Sequence, residues 1–152
     1  LYADQNALLD EVHQCLVAHN VNASLVWSID EPAGIGLLDV LPSRGNKLHA
    51  VEFLMQQCGF SSADTVFAGD SGNDLQVLSS AIPAVLVANA SPEVRAAAQQ
   101  QAAALGHASQ LYVAAGGLLG MNGNYSAGVL EGIIHFIPRT EVWLQQRTGE
   151  LQ

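Results

Sequence analysis

Basic residues are scarce in this 152-residue chain. Five Lys and Arg stand against 14 Asp and Glu, a formal net charge of −9. Recognition of a polyanionic backbone needs a basic stripe, so nucleic acid is excluded as a partner, and an anionic membrane surface is disfavoured on the same ground. No stretch approaches the roughly 18 consecutive apolar residues of a membrane span, and no charged-then-apolar leader is present. Cysteine is limited to Cys15 and Cys58, neither in a Cys-x-x-Cys or Cys/His ligand spacing. Both are expected to be buried free thiols in a reducing compartment, hence a cytoplasmic protein. Charged residues total only 12% while 49% are apolar, against about 25% charged in an ordinary soluble domain. The surface is therefore unusually apolar, or a partner covers part of it. There is no internal repeat. The sequence opens on Leu1 rather than Met, as a processed or truncated piece would.

What is present divides into two rhythms. Residues 4–19 carry apolar side chains at helical spacing, Ala7, Leu8, Val12, Cys15 and Leu16. Residues 24–29 and 35–41 read as two strands of a hairpin joined by the Pro- and Gly-containing turn 30–34. Residues 47–58 form an amphipathic helix with Leu48, Val51, Leu54 and Met55 on one face. From there strand and helix alternate: strands at 65–69, 84–88 and 110–114, helices at 73–80, 91–105, 124–136 and 139–147. Such alternation predicts parallel strands with crossover helices. Ser91-Pro92-Glu93 supplies an N-cap followed by Pro at the first helical position. Val85-Leu86-Val87 and Leu111-Tyr112-Val113 suit strands buried on both faces.

The chemistry concentrates in Gly69-Asp70-Ser71-Gly72-Asn73-Asp74, at the end of the strand 65–69. Two carboxylates, an amide and two glycines at that place point to a hard-cation and phosphate site. Mg²⁺ takes oxygen ligands and keeps several waters, and open α/β sheets bind their ligands at the strands' carboxyl ends. Lys47, the only lysine, opens a helix 23 residues earlier and can neutralise a phosphate as a compact charge. The five histidines are scattered without a metal-ligand pair, and Trp27 is expected in the core. The glycines of 116–123 match no phosphate-binding fingerprint.

Asp39-Val40-Leu41-Pro42, Lys47-Leu48-His49-Ala50, the hexapeptide 69–74 and Val87-Ala88-Asn89-Ala90 together resemble the haloacid dehalogenase (HAD) superfamily of Mg²⁺-dependent phosphatases. Their order is similar to the branch that carries a large α/β cap, in particular sucrose-phosphate phosphatases. The tail Tyr125-Ser126-Ala127-Gly128-Val129-Leu130-Glu131-Gly132-Ile133-Ile134-His135-Phe136 adds to the resemblance, which covers residues 24–137. It implies an α/β fold: a partial Rossmann-like core of three parallel strands with flanking helices (44–152), preceded by a cap remnant holding the hairpin (1–43). It implies that Lys47 holds the phosphate as a catalytic residue and that Asp70 and Asp74 serve a Mg²⁺ ion. Ser71, Asn73 and Asn89 would complete the phosphate or substrate pocket. Leu48 departs from the pattern, since Gly often follows the lysine.

The family's nucleophile is the first aspartate of an Asp-x-Asp-x-Thr motif. The aspartates here are 4, 10, 30, 39, 64, 70 and 74, and no two are separated by a single residue. The chain is thus expected to begin inside the cap and to lack turnover on its own. Three readings stay open: the C-terminal portion of a sugar-phosphate phosphatase, a truncated non-catalytic relative that binds Mg²⁺ or a phosphorylated sugar, and a half-enzyme completed by another chain. The family's first core strand would flank residues 65–69. That edge is expected to pair with a second copy, as a homodimer or strand-swapped oligomer.

Overall fold

The computed structural model describes residues 5–30 and 32–149; Asp4 and Glu31, which fall in the expected first helix and hairpin turn, lie outside them. The chain divides into two compact units, Leu1–Val51 and Glu52–Gln152. The division falls inside the helix α2 (Lys47–Cys58).

The first unit holds α1 (Gln5–Ala18) and the hairpin of β1 (Ala23–Asp30) and β2 (Ile35–Pro42). The strands pair antiparallel over their full length, from Ala23 opposite Pro42 to Asp30 opposite Ile35. Asp30 shapes the turn, its Oδ1 accepting from the Ala33 N–H at 3.2 Å. Trp27 lies across Gly36, where a β-carbon would meet the indole. The ring is half-buried, and its Nε1 is buried without a hydrogen-bond partner among the described residues. In α1 the inward face is Leu9, Val12 and Leu16, while Ala7, Leu8 and Cys15 are exposed. The apolar stripe is therefore rotated from the one the spacing suggests. Cys58 is exposed as well, so neither thiol is a core residue.

The second unit is an α/β sandwich. Its sheet has the order β3 (Phe67–Gly69), β4 (Ala84–Leu86), β5 (Leu111–Val113), all parallel. Each strand has only three residues, shorter than the apolar runs that encode it. Successive side chains of β4 face opposite ways, as strand geometry requires. Ala84 and Leu86 join Leu78, Ala90 and Ala98 in one cluster, beneath α3 (Leu75–Leu78) and α4 (Pro92–Ala104). Val85 and Val87 join Ala114 in the other, against Val129 and Phe136 of α5 (Tyr125–Phe136). Ser91 caps α4 by accepting from the Val94 N–H at 3.3 Å. A final helix, α6 (Thr140–Gly149), contacts α5. No helix among the described residues is long and apolar enough to cross a membrane.

The helix α5 seats closely because of Gly128 and Gly132. A β-carbon at 128 would meet Val87 at 3.0 Å and also the Gly123 carbonyl, and one at 132 would meet Val85. Glycines four apart share a helix face, so this face lets the helix backbone lie on β4. Glu131 then anchors the helix to the end of β5. Its Oε1 accepts from the Tyr112 hydroxyl at 2.7 Å and the Ala115 N–H at 2.9 Å, and its Oε2 from the Gly116 N–H at 2.9 Å. Burial raises the cost of its charge, but these three donors prevail and hold the carboxyl below its ordinary range. The same burial and the neighbouring carboxylate push the Tyr112 hydroxyl up to about 12. His135 stacks on Tyr112 with ring centroids 4.3 Å apart.

Candidate active site

Residues 69–74 leave the carboxyl end of β3, and the loop is built around Asp74. That side chain is 4% exposed. Its Oδ2 accepts from the Asp70 N–H at 3.1 Å, the Ser71 N–H at 3.1 Å and the Ser71 hydroxyl at 2.9 Å. A short 3-10 turn over Gly72–Asp74 brings the carboxylate back over the chain that precedes it. Gly69 makes room for this, because a β-carbon there would stand 2.6 Å from the Asp74 carboxylate. A buried carboxylate with several donors is a strong organiser of backbone. Asp74 thus stands behind the loop and sets the direction in which Asp70 leaves it.

Asp70 is exposed at the loop's front. Asn89, three residues beyond the end of β4, donates from Nδ2 to Asp70 Oδ2 at 3.0 Å. The Oδ1 of the same amide accepts from the Tyr125 N–H at 2.8 Å. A backbone N–H can only donate, so the Asn89 oxygen must face Tyr125 and its NH₂ must face Asp70. Three segments, following β3, following β4 and opening α5, therefore converge on one carboxylate. Beside it lies an open depression of about 170 Å³, lined by Ala68, Gly69, Asp70, Val87, Tyr125 and Val129.

Tyr125 occupies left-handed backbone, φ +47°, a conformation that costs an L-residue about 1–2 kcal/mol. Between residues 116 and 125 the chain is left-handed at Gly116, Gly117, Leu119, Gly120, Gly123 and Tyr125. Glycine takes four of these positions, as sterics favour.

The sequence-derived residues are thus distributed as follows. Asp70, Ser71, Asp74 and Asn89 form one hydrogen-bonded assembly. Asn73 is exposed on the same turn. Lys47 opens α2 in the first unit and is exposed. The Asp70 carboxylate offers oxygens that suit a hard cation, while Asn89 turns its NH₂ toward it and its own oxygen away. The described residues hold no group of three or more His, Cys, Asp or Glu able to enclose a metal. Asp70 is the outward carboxylate, with Asp74 Oδ2 committed to the loop. Tyr125 and Glu131 stand in the tail that carries the resemblance, but the sequence assigns neither a role: the signal at Tyr125 is a bulky residue at the end of a glycine-rich loop, and the clamp at Glu131 has no local signature.

Several known proteins are similar to this chain. A family model described as sucrose-6F-phosphate phosphohydrolase matches residues 2–137. A HAD-like hydrolase from Nitrosococcus oceani is 53% identical over 142 residues, covering 93% of this chain and 38% of the relative. A mannosylfructose-phosphate phosphatase from Agrobacterium fabrum is 34% identical over 95 residues, 62% of this chain and 36% of the relative. The sucrose-phosphatase of a Synechocystis species, solved with sucrose and phosphate, superposes with a TM-score of 0.63 at 27% identity. That match covers 85% of this chain and 46% of the other. The chain therefore spans less than half the length of each of these relatives.

Proposed function

The chain belongs to the HAD-like sucrose-6F-phosphate phosphohydrolase family, and on that premise we propose that it is the C-terminal portion of a sugar-phosphate phosphatase, contributing the metal and phosphate side of the active site. The observation that carries this reading is the Asp70 carboxylate at the carboxyl end of β3. It is aimed by Asp74 from behind and by Asn89 from the side. The names of the relatives favour a phosphorylated sugar such as sucrose 6-phosphate.

In this reading Asp70 would hold Mg²⁺, with Asp74 keeping the loop in shape for it. The ion, when bound, would draw charge from the phosphate oxygens. Lys47 would add a positive charge at the phosphate. Asn73 and Asn89 would offer amide hydrogen bonds to the phosphate, whereas both Ser71 donors are taken by Asp74 Oδ2. Covalent phosphoryl transfer also needs a carboxylate nucleophile and a proton donor. These 152 residues contain no Asp-x-Asp pair, so the proposed role of the chain alone is binding without turnover. A cytoplasmic location belongs to the same proposal; the two unpaired, exposed thiols are at home in a reducing compartment.

The test is calorimetric titration with Mg²⁺ and sucrose 6-phosphate. Binding by the wild-type chain and its loss in Asp70→Asn are the expected results; equal binding by both would refute the assignment of Asp70.

One observation favours an additional element. The strand β3 pairs with β4 on one side and with no strand on the other among the described residues. We propose that this edge accepts a strand from a second copy, since an open edge offers unpaired backbone groups. Light scattering at micromolar concentration should give the mass of a dimer, and a monomeric mass would remove this element.

A further inference from the structure

The proposed reaction leaves Tyr125 without a role, although the chain holds it in an unfavourable conformation beside the candidate site. Its side chain is 69% exposed, so burial does not account for an aromatic residue here. Glycine fills four of the six left-handed positions in this loop, yet position 125 carries a large ring. The other exception, Leu119, does not line the depression, whereas Tyr125 does. Observed backbone outliers of this kind concentrate where a side chain must be presented to a ligand.

The placement of Tyr125 is coupled to the carboxylate. Its N–H donates to Asn89 Oδ1 at 2.8 Å, and Asn89 Nδ2 donates to Asp70 Oδ2 at 3.0 Å. Two hydrogen bonds thus fix the residue that carries the ring relative to the group that would meet a cation and phosphate. The rest of the depression is apolar, Ala68, Val87 and Val129. A phosphate ester held at Asp70 through a cation would have this apolar surface beside it. Sugars present apolar C–H faces as well as hydroxyls, and a tyrosine offers a flat apolar body with a polar tip.

Resting on the proposed phosphatase reading, we propose that Tyr125 is a specificity-determining residue whose ring forms a platform for the sugar of a phosphorylated sugar. It selects among phosphate esters by the group attached to the phosphate and takes no part in the phosphoryl transfer.

The test compares inorganic phosphate with sucrose 6-phosphate, both titrated calorimetrically in the presence of Mg²⁺, on the wild-type chain, Tyr125→Phe and Tyr125→Gly. Wild type and Tyr125→Phe should bind the sugar phosphate more tightly than phosphate. Tyr125→Gly should lose about fivefold in affinity for the sugar phosphate, the scale of one aromatic contact, and stay within about twofold for phosphate. Its melting temperature should rise, because glycine adopts the left-handed backbone without a β-carbon penalty. A merely structural tyrosine would give the reverse: a lower melting temperature and equal changes for both ligands. Sugar-phosphate affinity unchanged in Tyr125→Gly would overturn the inference while leaving the phosphatase reading intact. A wild-type chain that binds neither ligand would overturn both.

Discussion

The hairpin unit and the sandwich unit use apolar residues in opposite ways. The strands β1 and β2 run for eight residues each, yet no described residue before Asp74 is buried. The sandwich strands run for three residues each, and β4 is fully buried over its whole length. In the hairpin, Ile29, Ile35, Leu37 and Val40 are 42–50% exposed. Long ladders thus accompany little burial, while short ladders sit between two layers of helices. The candidate site grows from the second kind. A loop that must hold Asp70 at a set angle needs a support that does not yield, and β4 with its two apolar clusters provides it.

The largest expected effect falls on that support. Leu86→Ala should cost about 2–5 kcal/mol, as for a fully buried leucine in a close-packed core, and should lower the melting temperature of the chain. Next comes the clamp of α5. Glu131→Gln keeps the shape but loses the charge that three donors share, at an expected cost of about 1–3 kcal/mol.

The same clamp sets a pH dependence. The Glu131 carboxyl lies below its ordinary value in the folded chain, so its contribution is complete above the ordinary carboxylate range. It is lost as pH falls through the folded value. Tyr112 is raised from 10.0 to about 12, so its contribution is complete below pH 10 and lost as pH rises through about 12. Melting temperatures followed across pH should therefore fall at both extremes, and Glu131→Gln should flatten the acid limb.

The smallest effect is expected in the hairpin. Leu38 is half-buried, and Leu38→Ala should cost about 1 kcal/mol or less. Amide hydrogen exchange would sharpen the contrast: the β4 amides should be protected longer than those of β1 and β2. Equal protection would mean that the hairpin is held as firmly as the sandwich.

Much of the architecture was legible in local pattern. Lys47–Cys58 is the helix its spacing predicts, Ser91-Pro92 opens α4, and the alternation after residue 60 is a parallel sheet. The hexapeptide marks a candidate site because its carboxylates stand at the carboxyl end of a strand, where open α/β sheets bind ligands. Other features were not legible, for physical reasons. Glu131 meets residues 15 to 19 positions away in sequence, and no periodicity records such a contact. The role of Asp74 depends on which way its side chain turns, a consequence of Gly69. Leu54, assigned to the inward face of α2, is 59% exposed, because helical spacing defines a stripe without saying what covers it.

The proposed binding of a phosphate ester at Asp70 through a cation, without hydrolysis, is open to direct test. The most direct measurement incubates a sample of confirmed mass with Mg²⁺ and sucrose 6-phosphate and follows both binding and phosphate release. Binding that Asp70→Asn abolishes, with no phosphate released, is the predicted result; release at an ordinary enzyme rate would contradict it.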